Sequence, residues 1–384
     1  MRILFLAPQP FFEVRGTPLA VRAMVRALAE QGHDVHLLTY PQGQPIAIPG
    51  VVHGRSLRLP VGRVRAGASL AKLLLDVPFA IEAAWLLATR RYDVVHAVEE
   101  AAHLVAPFAR LFRVPLVADV DSSIPDQLKE SGFATRGPLL WLAQVSEAHA
   151  LRHSAAVVTV CKALTDSVRR RVPTANVFQI EDPPLVGTDE PPTPSSVAAL
   201  RAALGLGAAP VVLYTGNFEP YQGVESLVDA AAQAPEAQFL FVGGEPEEIE
   251  RMKARSAKLG ALCTFAGKRP PEELPLFLAL ADVVCSPRSR GANTPFKVYT
   301  YLASGKPLVA TRIETHTQLI DDSLAFLVEP TAGALAAGVR AALADPKDAA
   351  ARAASGKALL EREYSTARHA EKVKRVYQAL ARQG

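Results

Sequence analysis

The chain has 384 residues, of which 49% are apolar, and its formal net charge is +4. This length exceeds what one ordinary hydrophobic core accommodates, and the apolar content excludes wholesale disorder, so two domains are expected. The small net charge gives no indication of nucleic-acid binding.

The three cysteines Cys161, Cys263 and Cys285 are far apart in the sequence and form no C-x-x-C pair. They are expected to be buried free thiols in a reducing compartment rather than metal ligands or redox groups. The N-terminal stretch MRILFLAPQP has too short an apolar run for a signal peptide. A cytoplasmic location is the resulting expectation.

The first half of the chain alternates strand-like and helix-like stretches. RILFLA (2–7) is predicted to be a buried strand, PLAVRAMVRALAEQGHD to be a helix, and VHLLTY to be the next strand. This order is typical of a β-α-β unit, whose strands are parallel. Further predicted strands are DVVHAV (93–98), PLVADV (115–120), AAVVTVC (155–161) and NVFQIE (176–181).

The second half repeats the pattern after a stretch rich in Pro, Ser and Thr that is predicted to be a linker. Its predicted strands are VVLYTG, QFLFVGG, CTFAG and DVVCSP, and an amphipathic helix ends the chain. The fold class is therefore α/β, with two doubly wound parallel-sheet domains. The predicted boundaries are 1–185 for the first domain, 186–209 for the linker, 210–365 for the second domain and 366–384 for the last helix.

Ligands of such sheets bind outside the carboxyl ends of the strands, which directs attention to the loops there. Gly16 would let a ligand approach the backbone at a helix N-terminus, where N–H groups are free. Equally, Gly16 is a turn glycine and Thr17 a helix N-cap. Gly243 ends a strand, where a bare turn and a nucleotide contact are both open.

Cations follow a strand of the second half. Arg288 and Arg290 lie in its loop, and Lys297 lies at the presumed start of the next helix. Cations that converge on a helix N-terminus suit a phosphate group, although a solvated face would look the same. No His, Asp or Glu spacing resembles a metal site, and no pair of carboxylates stands out as an acid and base. Neither a metal nor another cofactor is expected.

The whole chain resembles the retaining family-4 glycosyltransferases (glycosyl transferases group 1) of GT-B fold. The resemblance is carried by RGTPLAVRAMVRALAEQGHDVHLLT, YDVVHAVEEA, RHSAAVVTVCKAL, LYTGNFEPYQGVESLVDAA, FLFVGG and TPFKVYTYLASGKPLVAT. It implies two Rossmann-like domains facing a cleft, a last helix that crosses back to the first domain, and a nucleotide-diphosphate sugar held mostly by the second. The implied activity is retaining sugar transfer to a glycan or lipid-linked acceptor.

In this sequence, other residues replace the charged side chains with which the family contacts its donor. The family has an arginine and a lysine for the diphosphate, two glutamates for sugar and ribose, and a histidine facing the sugar. The corresponding residues here are Asn217 and Gln222, Ala292 and Thr300, and Asp121. A non-catalytic nucleotide-sugar-binding subunit is therefore kept as the alternative to an active enzyme.

The loops and the resemblance together predict two sets of site residues. Catalytic roles are assigned to Lys297, Asp121 and Arg290. Donor contacts are assigned to Gly16, Thr17, Asn217, Gln222, Gly243, Arg288, Asn293, Thr294 and Thr300.

Segment 55–75, RSLRLPVGRVRAGASLAKLLL, mixes arginines with apolar residues. Peripheral contact with the inner face of an anionic membrane would suit a lipid-linked acceptor, and an ordinary amphipathic helix with a basic rim is the alternative. A transmembrane helix is not expected, because the most apolar long stretch, 69–88, contains Lys72, Asp76 and Glu82.

Overall fold

The computed structural model describes residues 1–13, 16–61, 70–130, 135–185 and 191–382. The chain divides into two compact units. The N-terminal unit comprises Met1–Asp182 together with Ala367–Gly384, and the C-terminal unit comprises Pro183–Thr366.

The N-terminal unit is built on a sheet of seven parallel strands in the order β3-β2-β1-β4-β5-β6-β7. The strands are β1 (Arg2–Ala7), β2 (Asp34–Thr39), β3 (Val51–Arg55), β4 (Val94–Val98), β5 (Leu116–Val120), β6 (Ala156–Thr159) and β7 (Val177–Gln179). The helices are α1 (Gly16–Glu30), α2 (Leu70–Thr89), α3 (Glu100–Leu111), α4 (Ile124–Glu130), α5 (Pro138–His153) and α6 (Lys162–Arg171). β4 and β5 are buried along their whole length because helices cover both faces of the sheet.

The C-terminal unit has a sheet of six parallel strands in the order β10-β9-β8-β11-β12-β13. They are β8 (Val211–Thr215), β9 (Gln238–Val242), β10 (Cys263–Gly267), β11 (Val283–Ser286), β12 (Leu308–Thr311) and β13 (Phe326–Val328). The helices are α7 (Pro194–Ala203), α8 (Val224–Gln233), α9 (Pro246–Leu259), α10 (Leu274–Leu280), α11 (Phe296–Ser304), α12 (Glu314–Thr317), α13 (Ala332–Ala344) and α14 (Pro346–Glu363).

The strand order reverses direction once in each sheet, between β1 and β4 and between β8 and β11. Such a switch point opens a crevice at the carboxyl ends of the two strands, which is where doubly wound sheets bind ligands. The predicted fold class of two Rossmann-like parallel-sheet domains is confirmed.

The last helix, α15 (Thr366–Ala381), belongs to the N-terminal unit apart from its first residue. Val373, Val376 and Tyr377 are buried in the same core as residues of β1 and α1. The helix thus returns to the first unit, as the resemblance implied.

The predicted linker 186–209 is wrong for much of its length. Thr193 caps α7 by accepting a hydrogen bond from the Ser196 N–H, so the Thr-Pro pair starts a helix here. Val197, Leu200 and Leu204 pack on the core of the C-terminal unit. Residues 186–190 lie outside the described part of the chain.

Two of the cations in segment 55–75 that membrane contact was predicted to use are engaged within the N-terminal unit, whereas Arg58 is exposed. Arg55 donates to the Phe11 carbonyl (3.2 Å), and Lys72 forms an ion pair with Glu100 in which both side chains are largely buried. Residues 62–69, with Arg63 and Arg65, lie outside the described part. Among the described helices, none is long and apolar enough to cross a membrane. None of the three cysteines, all of which lie in described parts of the chain, forms a disulfide bond, and Cys263 is only half-buried.

Candidate active site

Two glycines bring the ends of β8 and β9 into direct contact. A Cβ on Gly243 would lie 2.0 Å from the carbonyl oxygen of Gly216, and the φ of Gly243 is +121°. No other residue fits this approach without moving the strand ends. Close backbone packing therefore explains Gly243, which was predicted as a donor contact.

Lys297, the second residue of α11, places its ammonium group at this meeting of strands. Its Nζ donates to the Gln222 Oε1 (3.1 Å) and lies 3.8 Å from the ring centroid of Tyr214. It also lies beside Gly216, where an added Cβ would be 2.8 Å from Nζ. The Lys297 ammonium thus lies beside Gln222, the position at which the resemblance implied a cation.

Lys297 has no carboxylate partner among the described residues. Burial, and secondly the nearby charge of Arg288, lower the pKa of its ammonium group well below the usual range. An anion brought next to Nζ would favour the charged form and be bound by it.

Arg288 organises the loop rather than standing free in it. Its side chain is buried over the Tyr221 ring, and Nε donates to the Arg290 carbonyl (2.8 Å). Nη1 and Nη2 donate to the backbone carbonyl and Oδ1 of Asn293, at 3.2 and 2.9 Å. The side chain of Arg290 is exposed. Arg290 was predicted to be catalytic and Arg288 to contact the donor, and the structure buries Arg288 but exposes Arg290.

Two threonines of the same region differ in their hydrogen bonding. Thr294, just before α11, is buried, and its Oγ1 has no hydrogen-bond partner in the described structure. Thr300 is also buried, but its Oγ1 accepts from the Leu185 N–H (3.0 Å). The Thr300 hydroxyl, which was predicted to contact the donor, thus already accepts a hydrogen bond from the backbone of its own unit.

The remaining polar groups fix the loops. The Asn217 Oδ1 accepts from the Glu219 N–H (3.3 Å), which makes a local turn. His316 is fully buried, and its Nε2 and Nδ1 lie 2.9 Å from the Ser286 Oγ and 2.7 Å from the Thr311 carbonyl. Burial lowers its pKa to about 4, so the ring is neutral and ties β11 to β12.

In the N-terminal unit the structure brings Thr17 and Asp121 together. Asp121 directly follows β5, and its carboxyl group is hydrogen-bonded to the Thr17 side chain in the first turn of α1. Thr17 is therefore not the N-cap, because the helix already begins at Gly16. Gly16 is exposed, and an added Cβ would meet no atom within 4 Å.

A cluster of carboxyl groups surrounds Asp121, although no such cluster was predicted. Asp119, Asp121 and Asp182 line a small cavity with His369 of α15, and this cavity has room for about one water molecule. The Asp119 Oδ1 and the His369 Nε2 are buried without hydrogen-bond partners in the described structure. These residues come from distant stretches, so no local spacing identifies them.

Burial disfavours the ionised form of the carboxyl groups in this cluster. Burial first, and then the charges of Asp119, Glu99 and Asp182, raise the pKa of Asp121 well above its usual range. The Asp119 Oδ2 lies 3.0 Å from the His96 Nε2, and the His96 Nδ1 lies 2.8 Å from the Tyr377 hydroxyl. Asp121 therefore keeps its proton to a higher pH than an ordinary carboxyl group does.

Asp182 gives the first prediction. Burial and the charges of Asp119 and Glu181 raise its pKa from 3.8 to about 7. Between about pH 4 and pH 7, the folded chain therefore keeps a proton on Asp182 that the unfolded chain has released. The contribution of this group to stability is full below about pH 4 and is lost as the pH rises towards 7. In denaturant titrations over this range, Asp182→Asn should lose less unfolding free energy than wild type, by on the order of 2 kcal/mol. A wild-type-minus-variant difference that does not change with pH would contradict this assignment.

Two family models cover most of the chain. The model described as "Glycosyl transferase 4-like domain" matches residues 15–181, and the one described as "Glycosyl transferases group 1" matches residues 198–358.

Curated relatives match over most of their length. The chain is 28% identical to the alpha-D-kanosaminyltransferase of Streptomyces kanamyceticus, over 81% of this chain and 86% of the relative. It is 26% identical to the phosphatidyl-myo-inositol mannosyltransferase of Mycobacterium leprae, over 100% and 98% of the two chains.

Solved structures share the fold. A sucrose-phosphate synthase from Thermosynechococcus elongatus superposes with a TM-score of 0.81 at 23% identity, over 100% of both chains. HepE of Anabaena, solved in complex with UDP-glucose, gives a TM-score of 0.79 at 18% identity, over 99% and 100%.

Proposed function

Because the chain belongs to the family-4, group 1 glycosyltransferases of GT-B fold, we propose that it transfers a sugar from a nucleotide-diphosphate sugar to a glycan or lipid-linked acceptor, with retention of anomeric configuration. The observation that carries the proposal is the half-buried ammonium of Lys297 at the start of α11, which has no carboxylate partner among the described residues. A lipid-linked acceptor would make the enzyme a peripheral protein of the inner membrane face.

The donor's diphosphate is proposed to bind at the N-terminus of α11. The free N–H groups of a helix start carry about half a positive charge, and Lys297 adds a full one. Thr294 lies two residues before this helix, and its Oγ1, which has no partner among the described residues, can donate to a phosphate oxygen. Gln222, Asn217 and Asn293 supply further polar groups around the site. The HepE complex supports this class of donor, since it contains UDP-glucose.

The proposed reaction breaks the bond between the sugar C1 and the diphosphate oxygen, and the diphosphate leaves with the electron pair. The acceptor oxygen forms its bond to C1 on the same face and gives its proton to the departing phosphate. Negative charge grows on that phosphate, so a fixed cation and aligned N–H dipoles lower the barrier. Lys297 carries this role, Arg288 positions the loop, and no metal ion is required.

Asp121 is proposed to orient a hydroxyl group of sugar or acceptor in its protonated form. Its carboxyl group lies beside Thr17 at the start of α1, where Gly16 leaves the backbone open to a ligand. A protonated carboxyl group can both donate and accept, so it can take over hydrogen-bonding tasks of a histidine.

Removal of the Lys297 charge should abolish most of the transfer. A thermal-shift screen of UDP- and GDP-sugars first identifies the donor of the wild-type enzyme. With that donor, Lys297→Met keeps much of the packing on Tyr214 and should lower kcat about 100-fold or more. The control is Lys253→Met, an exposed lysine on α9. Equal kcat of wild type and Lys297→Met would refute the assignment, and donor binding without transfer or donor hydrolysis in wild type would favour the non-catalytic alternative.

Gly16 offers a test that separates ligand approach from folding. Gly16→Ala has room for its Cβ within the unit, so stability should stay within about 0.5 kcal/mol of wild type. If a ligand approaches the backbone there, kcat/KM should fall about tenfold or more. Gly333→Ala in α13, whose Cβ would be 3.5 Å from the nearest atom, is the control. Unchanged kcat/KM in Gly16→Ala would exclude the approach.

The protonated state of Asp121 predicts a ranking of two variants. Asn keeps a donor and an acceptor of similar size, whereas Ala keeps neither. Asp121→Asn should therefore retain at least about ten times the kcat/KM of Asp121→Ala, which loses one or two hydrogen bonds. Steady-state kinetics near neutral pH measure the ratio. Equal loss in both variants would show that the ionised carboxylate, or no group at all, is used.

A further inference from the structure

α2 exposes large apolar side chains on the side that faces away from its sheet. Five of them are between 55% and 65% exposed: Leu73, Leu74, Val77, Ile81 and Trp85. The opposite side of the helix, with Leu75 and Phe79, is buried in the core of the N-terminal unit. A helix that is apolar all round is normally covered on every side.

The apolar surface continues on two other helices of the same layer. α3 packs against both α2 and α5, and all three cover one face of the N-terminal sheet. The exposed large apolar side chains here are Leu111 and Phe112 at the end of α3, and Leu139, Trp141, Leu142 and Val145 of α5. These six residues and the five of α2 are called the apolar face below. A soluble monomer rarely exposes so many large apolar residues on one layer.

Charge is distributed unevenly around the apolar face. The exposed charged side chains of the three helices and the two residues after α2 and α3 are all arginines: Arg90, Arg91, Arg110, Arg113 and Arg152. The acidic residues of these segments are buried or half-buried: Asp76, Glu82, Glu100 and Glu147. No carboxylate of these segments is therefore exposed, and Asp93, two residues beyond Arg91, is the nearest exposed carboxylate along the chain after α2.

We propose that the apolar face rests on an anionic lipid bilayer, with the helices in the plane of the interface. Arginines near such a surface are attracted by its negative charge. The only two tryptophans of the sequence, Trp85 and Trp141, both lie on the face, and tryptophan favours the membrane–water interface. A second copy of the chain fits less well, because a symmetric contact would bring arginines against arginines without a carboxylate.

The two tryptophans make the wild-type protein its own reporter. Added vesicles of phosphatidylcholine with about one-third phosphatidylglycerol should shift the tryptophan emission to the blue, and co-sedimentation should be about tenfold stronger than with pure phosphatidylcholine. High salt should weaken the binding. Unchanged emission and no co-sedimentation with anionic vesicles would overturn the proposal.

A double variant locates the contact. Leu74→Glu with Ile81→Glu alters two exposed positions of α2 and should reduce co-sedimentation about tenfold or more. The matched control is Leu259→Glu with Leu262→Glu, which adds the same charge at exposed leucines of the C-terminal unit. Equal binding by both variants would overturn the proposal. So would a vesicle-free dimer of wild type, seen by light scattering, that only the α2 variant dissociates.

The proposed membrane contact does not depend on the proposed reaction. Transfer to a water-soluble acceptor should be the same in the α2 variant and in wild type. Vesicle binding by a protein without transferase activity would leave the apolar face in place and refute only the proposed function.

Discussion

The account depends on one half-buried cation. Lys297 is held against the Tyr214 ring and the Gln222 amide at the point where β8 meets β9 and α11 begins. A cation in such surroundings is held at a cost in solvation, which its depressed pKa expresses. An anionic ligand removes that cost, so the site is more stable with its ligand bound than without it.

The position of the Lys297 ammonium also explains features of the neighbouring residues. Gly216 has a φ of +135°, which disfavours any side chain, and a Cβ there would also displace the Lys297 ammonium. Arg288 is turned into its own loop by Asn293, where it shapes the approach to α11. In the N-terminal unit the crowded charges are negative rather than positive, because several carboxyl groups share a buried space. The pKa of one of them, Asp121, which lies beside Thr17, is raised well above its usual range.

The sequence allowed much of the fold to be predicted, because buried parallel strands such as β4 and β5 are continuous apolar runs. It did not identify β3, an edge strand with His53 and Arg55 that is only partly buried. α7 was predicted to be part of the linker, because the Thr-Pro pair that caps it was interpreted as typical of a loop. Lys297 was found from its place before a helix, but the burial that separates Arg288 from Arg290 depends on contacts across the loop. The cluster of Asp119, Asp182 and His369 joins residues that only the folded chain brings together.

The most direct measurement is a crystal structure of the wild-type protein with the nucleoside diphosphate of its donor. The account predicts a phosphate oxygen within about 2.7–3.2 Å of the Lys297 Nζ, at the N-terminus of α11. A complex in which the Lys297 Nζ still binds only the Gln222 side chain, while the diphosphate lies elsewhere in the protein, would contradict it.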